Sequence, residues 1–206
     1  MIVIIDYEVG NLTSIKKMLK KVGCADALIS GKHEDIENAS KLILPGVGHF
    51  DYGMDKLHSS GLVDLLNKKV LQEKIPILGI CLGAQLLTRG SEEGSQKGLG
   101  WIAADTVKFD ASKFDQNLKV PHMGWSEVSF KKHAPLFSDM PEESRFYFVH
   151  TYHIDCDNPE DIAVTAKYGY GFTAGFIKEN IIGMQFHPEK SHKYGMQLLS
   201  NFIKNY

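Results

Sequence analysis

Cysteine is scarce in this chain of 206 residues: only Cys24, Cys81 and Cys156 occur, and no two form a C-x-x-C pair. An odd, widely spaced set builds neither a disulfide framework nor a zinc ribbon, and it suits a reducing compartment. Charge of one sign is missing as well. Twenty-three basic against 25 acidic side chains leave a formal net charge of −2, which gives no electrostatic handle on nucleic acid or an anionic membrane. No apolar run approaches the ~20 residues needed to span a bilayer. The opening Met1-Ile2-Val3-Ile4-Ile5 lacks a basic flank and is cut off by Asp6, so it reads as a strand and not as a signal peptide. There is no G-x-x-x-x-G-K-[ST] loop for ATP phosphates, and the broken G-x-G of Gly98-Leu99-Gly100 follows loop instead of strand. The expectation is a soluble cytoplasmic protein that works without nucleic acid, membrane, metal or cofactor.

What is present alternates strand and helix over the first third. Ile2–Asp6, Ala25–Ser30, Lys41–Leu44 and Ile75–Ile80 read as strands, the first a continuous apolar run suited to a sheet interior. A helix capped by Asn11 carries Leu12, Ile15, Met18, Leu19 and Val22 and ends at Gly23, and Leu57–Val70 is predicted as another helix. This βαβα series predicts an α/β fold with a mostly parallel sheet and right-handed crossovers. Beyond Thr106 short β-like pieces follow (Thr106–Phe109, Glu127–Phe130, Arg145–His150, Ile162–Lys167, Phe172–Ile177, Ile181–Phe186), several of which are expected to form an antiparallel extension. A helix after Ser191 closes the chain. No repeat or linker divides it, so residues 1–206 are expected to form one domain.

The stretch with chemical content is Gly79-Ile80-Cys81-Leu82-Gly83, a thiol version of the G-x-S-x-G elbow in which a sharp strand-to-helix turn exposes a nucleophile. Glycines are needed because neighbouring backbones crowd such a turn, while the turn aims N–H groups at the sulfur and a developing oxyanion. The same stretch also fits a buried core cysteine, and a base elsewhere in the chain decides between the two. One exists. In Phe186-His187-Pro188-Glu189 a predicted strand ends on a histidine with a carboxylate two residues on, which supplies a base and the acceptor that orients it. Either feature alone is common; the two together are much rarer. Pro45-Gly46-Val47-Gly48 leaves the carboxyl end of the third strand, where ligands bind in open parallel sheets, and is either an ordinary turn or a source of oxyanion donors. His150 and His153, with no third ligand nearby, are expected to be structural, and Cys24 and Cys156 to be packing residues.

These motifs resemble the class I (triad) glutamine amidotransferases. Asp6-Tyr7-Glu8-Val9-Gly10-Asn11, Pro121-His122-Met123-Gly124-Trp125, Phe146 to Tyr152 and Phe186 to Ser191 narrow the likeness to the HisH family, the glutaminase subunits of imidazole glycerol phosphate synthase. The likeness runs end to end and implies a three-layer, flavodoxin-like fold. It implies that Cys81 attacks the side-chain amide of L-glutamine, that His187 shuttles the proton, and that Glu189 orients His187. Leu82 and one of Gly46, Val47 and Gly48 would supply the oxyanion hole. Gln85, Glu93, Thr151 and Tyr152 would hold the amino-acid end of glutamine. Asn11, Trp125, Tyr147 and Lys190 would meet a HisF-type (βα)8-barrel cyclase in a heterodimer, which uses the ammonia to make imidazole glycerol phosphate and AICAR for histidine. Three positions depart from the family pattern: Glu8 replaces glycine, Ala84 methionine and Ser126 asparagine. Glu8 and Ser126 lie near the implied interface and keep an alternative open, a paralogue feeding ammonia through a HisF-like barrel to a sugar amidotransferase for surface polysaccharide. A stand-alone thiol hydrolase would not need the Trp125, Tyr147 and Lys190 cluster, and a dead binding subunit would have a broken triad.

Overall fold

The computed structural model describes residues 1–114 and 118–206. Five strands run parallel in the order β2 (Leu28–Ser30), β1 (Ile2–Ile5), β3 (Lys41–Gly46), β4 (Ile77–Cys81) and β11 (Ile181–Met184). Their side chains alternate between two apolar layers. Ile2, Ile4, Ile43, Leu78 and Ile80 face helices α1 (Leu12–Lys21) and α6 (His192–Asn205), meeting Ile15, Leu19, Leu198 and Phe202. Val3, Ile5, Leu42, Leu44 and Ile77 face the other way. They pack on α2 (His33–Glu37), α3 (Phe50–Ser59), α4 (Val63–Asn67) and α5 (Leu82–Leu86), through Ile36, Phe50, Met54, Leu66 and Leu86. A strand buried on both faces must be apolar at every position, which is why β1 has no polar alternation.

Beyond β11 the sheet continues antiparallel through β10 (Tyr170–Lys178), β9 (Ile162–Tyr168), β6 (His122–Phe130) and the edge strand β7 (Arg145–His150). Off this path, β8 (Tyr152–Cys156) pairs with β10 and with β5 (Ala104–Lys108). The three-layer α/β architecture with an antiparallel extension is therefore present. Among the described residues no helix is long and apolar enough to cross a membrane.

Several local expectations need correction. The helix predicted over Leu57–Val70 begins earlier and is broken. His49 caps α3 by accepting from the Asp51 N–H, the helix stops at Ser59, and Gly61 at φ +70° turns the chain before α4 and a wide π-helical turn over Lys68–Gln72. Asn11 makes no side-chain cap; its backbone carbonyl accepts from the Ile15 N–H at 3.3 Å. The last strand ends at Met184 and not at Phe186, and β8 carries no clear sequence signal because polar His153 and Asp155 interrupt its apolar pattern.

Helix α6 lies hard against the turn after His187. A methyl group on Gly195 would sit 1.8 Å from the Pro188 carbonyl oxygen, a backbone atom that cannot rotate away. Gly195→Ala should lower stability by about 1–3 kcal/mol despite its better helix propensity, seen as a lower urea midpoint at unchanged slope.

Candidate active site

Strands β3 and β4 end together, with Gly46 opposite Cys81. Cys81 takes φ +54° and ψ −113°, a region L-residues avoid. Such strain costs roughly 1–3 kcal/mol, and the burial of Ile80 and Leu82 on either side, each 1% exposed, outweighs it at roughly 1.5–3 kcal/mol apiece. The glycines are steric necessities. A Cβ on Gly83 would lie 1.9 Å from the Leu44 carbonyl oxygen, and one on Gly79 would lie 2.9 Å from the Ala84 nitrogen. Gly46 is equally tight, its missing Cβ falling 2.6 Å from the Gly83 nitrogen.

Cys81 opens on a cavity of about 350 Å³ lined by Val47, Gly48, Leu82, Gln85, Glu93, Pro121, Val149, His150, Thr151, Tyr152 and His187. A larger cleft of about 1070 Å³ between Ser129 and Asn205 contains neither the thiol nor the His187–Glu189 pair. His187 follows β11, and its backbone N–H donates to the Tyr147 carbonyl at 2.9 Å. Its Nδ1 is 2.8 Å from Glu189 Oε1, with both side chains buried. Nδ1 therefore carries the proton that faces the carboxylate. His187 Nε2 has no well-aligned hydrogen bond, yet Cys81 lies close enough to act on its charge. Burial alone pushes this imidazole down, but Cys81 and Glu189 favour its charged form and lift it to about 9. A thiol, an imidazole and a carboxylate in line make an arrangement able to transfer acyl groups through a thioester. The other two thiols sit in different surroundings. Burial pushes Cys156 up to about 12 and also raises Cys24, which donates to Asp26 Oδ1 at 3.4 Å.

The family model for class I glutamine amidotransferases matches residues 3–206. The chain belongs to that family. Among curated relatives, the amidotransferase is 55% identical to imidazole glycerol phosphate synthase subunit HisH 2 of Methanococcus maripaludis, over 99% of both chains. It is 52% identical to the HisH 2 subunit of Pseudomonas aeruginosa, again over 99% of both, and 44% to the HisH subunit of Leptospira borgpetersenii over 98% of both. Among solved structures, a putative GMP synthase component from Thermoplasma acidophilum is 27% identical and superposes with a TM-score of 0.71, covering 98% of this chain and 91% of the other. PurLQS from Thermotoga maritima shares the fold at 16% identity and a TM-score of 0.70, over 98% of this chain and 96% of its own.

Most of the expected site residues of this amidotransferase meet at the cavity: Cys81, His187, Val47, Gly48, Leu82, Gln85, Glu93, Thr151 and Tyr152, with Glu189 behind His187. Gly46 does not line it and serves close backbone packing instead. One carboxylate oxygen of Glu93 accepts from the Phe50 N–H at 2.8 Å, tying the 91–100 loop to the start of α3. Gln85 spends both amide protons internally, on the Tyr152 carbonyl at 3.2 Å and Gln185 Oε1 at 3.0 Å, so its carbonyl oxygen is what it can offer a ligand.

Outside the mouth, Trp125 stands opposite Tyr147 across β6 and β7, their rings 6.3 Å apart. Lys190 Nζ lies 5.7 Å from the Tyr147 ring, and His192 stacks on Trp125 at 5.4 Å. Trp125 is 45% and Met123 62% exposed, an unusual apolar display beside a cavity mouth. Asn11 starts α1, which packs against the 188–190 turn bearing Lys190. Sequence reasoning missed two groups behind the site. Tyr7 donates its hydroxyl to the Pro45 carbonyl at 2.5 Å, and Gln185 is fully buried beside Cys81. The one signal for Gln185 was a polar residue two positions before His187 in the otherwise apolar stretch Ile181–Phe186.

The His187 environment has a measurable consequence. Its ring proton resonance should titrate near pH 9, and Glu189→Gln, which removes the facing negative charge, should move that midpoint down.

Proposed function

We propose that this chain is the glutaminase subunit of an imidazole glycerol phosphate synthase, with residues 1–206 acting as one ammonia-producing domain. What supports this most is a thiol facing an oriented imidazole inside a chain 55% identical, end to end, to a HisH subunit. Glutamine enters the cavity with its amide toward Cys81. Its ammonium group meets the acceptors there, the free carboxylate oxygen of Glu93 and the Gln85 carbonyl oxygen, while Thr151 and Tyr152 border it with backbone.

Cys81 passes its proton to His187 Nε2, and the thiolate sulfur then attacks the amide carbon. The carbonyl oxygen becomes an oxyanion held by N–H groups of Leu82 and of Val47 or Gly48. The C–N bond breaks as His187 returns the proton to the departing nitrogen, leaving ammonia and a glutamyl thioester. Water, deprotonated by His187, then attacks the thioester; the thiol is restored and glutamate leaves. Glu189 stays ionised throughout, fixing the ring's tautomer and offsetting its positive charge.

The ammonia passes to a HisF-type (βα)8-barrel cyclase docked over Met123, Trp125, Tyr147 and Lys190, giving imidazole glycerol phosphate and AICAR. A free glutaminase would waste glutamine, so the activity belongs under control of the loaded partner. The unaligned thiol–imidazole pair fits that control, since hydrogen bonds of this kind often tighten only in the working complex.

Co-purification with the histidine-pathway cyclase and an assay on its N1-(5-phosphoribulosyl)-formimino-AICAR-phosphate substrate tests the reading; glutamine-dependent turnover is expected, and failure with this partner would redirect it to a paralogous barrel. Cys81→Ala should lower glutamine-dependent synthesis by about a thousandfold or more and leave the ammonia-dependent reaction of the complex intact. Trp125→Ala should weaken the heterodimer by about tenfold or more in a titration of the two subunits. The glutaminase rate of the complex should fall as pH rises through about 9, because the imidazolium that protonates the leaving nitrogen is lost above its own pKa.

A further inference from the structure

Behind Cys81 lies a line of buried polar groups whose donors and acceptors can be assigned one after another. It starts from a group with no choice. The Tyr152 carbonyl oxygen can only accept, and it takes Gln85 Nε2 at 3.2 Å and His150 Nδ1 at 2.8 Å. The Gln85 amide is thereby fixed with its NH2 toward Tyr152, and its second proton goes to Gln185 Oε1 at 3.0 Å. With its oxygen committed, Gln185 has one orientation left: Nε2 points at Cys81 Sγ, 3.7 Å away. Gln185 is wholly buried, so water cannot compete for that N–H.

The same carbonyl orders two histidines. His150 Nδ1 must hold a proton, and burial keeps the ring neutral by pushing it down to about 3. Its Nε2 then accepts from His122 Nδ1 at 2.9 Å. His122, pushed by burial to about 4, is neutral too, so its Nε2 accepts from Ser126 Oγ at 2.8 Å. The line thus runs from the docking strand β6, one residue past Trp125, to the sulfur.

We propose that Gln185 is a positioning residue for the nucleophile: its amide N–H, oriented by Gln85 and the Tyr152 carbonyl, donates to the Cys81 sulfur and favours the thiolate. A hydrogen bond to the charged form of a group always favours that form. A neutral donor does so without placing a second positive charge beside the His187 imidazolium. The other groups that bear on the sulfur are His187 from the end of β11, with Glu189 behind it, Tyr7 from the loop after β1, and Glu93 across the cavity. None of these is a neutral donor bonded to Cys81. The inference rests on Cys81 being the glutaminase nucleophile and adds the group that prepares it.

The test is the pH dependence of Cys81 alkylation by iodoacetamide in the full chain, with adducts located by mass spectrometry. Gln185→Met removes the donor at similar volume. Gln185→Glu keeps an acceptor for Gln85 but turns an oxygen to the sulfur. Both should shift the alkylation midpoint upward and slow the reaction at neutral pH, by about three- to tenfold for the Met variant and more for the Glu variant. A folded variant with the unsubstituted midpoint overturns the proposal. The unsubstituted protein gives a second measurement that does not depend on how variants fold. The Gln185 side-chain amide protons should shift with the same midpoint as Cys81 alkylation, and amide resonances that stay still across that midpoint overturn it. If Cys81 in the unsubstituted protein reacts no faster than Cys24 or Cys156, the nucleophile reading itself falls, and this inference with it.

Discussion

The site depends on two backbones approaching so closely that no methyl group fits between them. Gly83 at the start of α5 presses on the Leu44 carbonyl oxygen of β3, and Gly46 presses back on the Gly83 nitrogen. This contact brings the loop carrying Val47 and Gly48 beside Cys81 and Leu82, which makes a turn-forming loop and a strained cysteine into one cavity wall. Strain at Cys81 of roughly 1–3 kcal/mol persists because the surrounding layers are fully apolar and buried on both faces of the sheet. Relaxing the turn would mean pulling α5 off that packing.

The sequence carried most of the parallel half of the fold because β1, β4 and the middle of β3 are apolar and α1 has a spaced apolar face. It also pointed to the residues that meet at the cavity, because Cys81 and His187–Glu189 sit in short motifs whose residue types are dictated by local geometry. What was hard to read depends on distant neighbours. The break near Gly61 shows up as a single glycine in an apolar pattern that looks continuous. Strand β8 escaped because His153 and Asp155 spoil its pattern, and His153 is satisfied by the Tyr170 hydroxyl 3.2 Å away, a partner that sequence spacing cannot indicate. Gln185 is illegible for the same reason: its role is set by Gln85 and Tyr152, which only the fold brings beside it.

Polar groups are expensive to bury, and this chain buries many of them between strand β6 and the sulfur. Their arrangement limits that cost. Each histidine has one nitrogen donating and one accepting, and each amide proton of Gln85 has a carbonyl to meet. Such a set holds a unique orientation where an apolar filling would hold none. The exposed Met123 and Trp125 lie on the outer end of the same strand β6 that contributes His122 and Ser126. An exposed apolar surface outside and polar order inside therefore share one backbone.

The turn after His187 also solves a problem unrelated to chemistry. Strand β7 is the last in the sheet, and an edge strand offers unpaired N–H and C=O groups to any other chain. At Tyr147 both are taken: the N–H by Ser191 Oγ at 3.0 Å, the carbonyl by the His187 N–H at 2.9 Å, while Ser191 Oγ donates onward to the His187 carbonyl at 2.6 Å. The segment that carries the imidazole is thus also the cover over a sticky border. A substitution that loosens it uncovers that border, so selection for solubility in a crowded cell and selection for turnover act on the same few peptide groups.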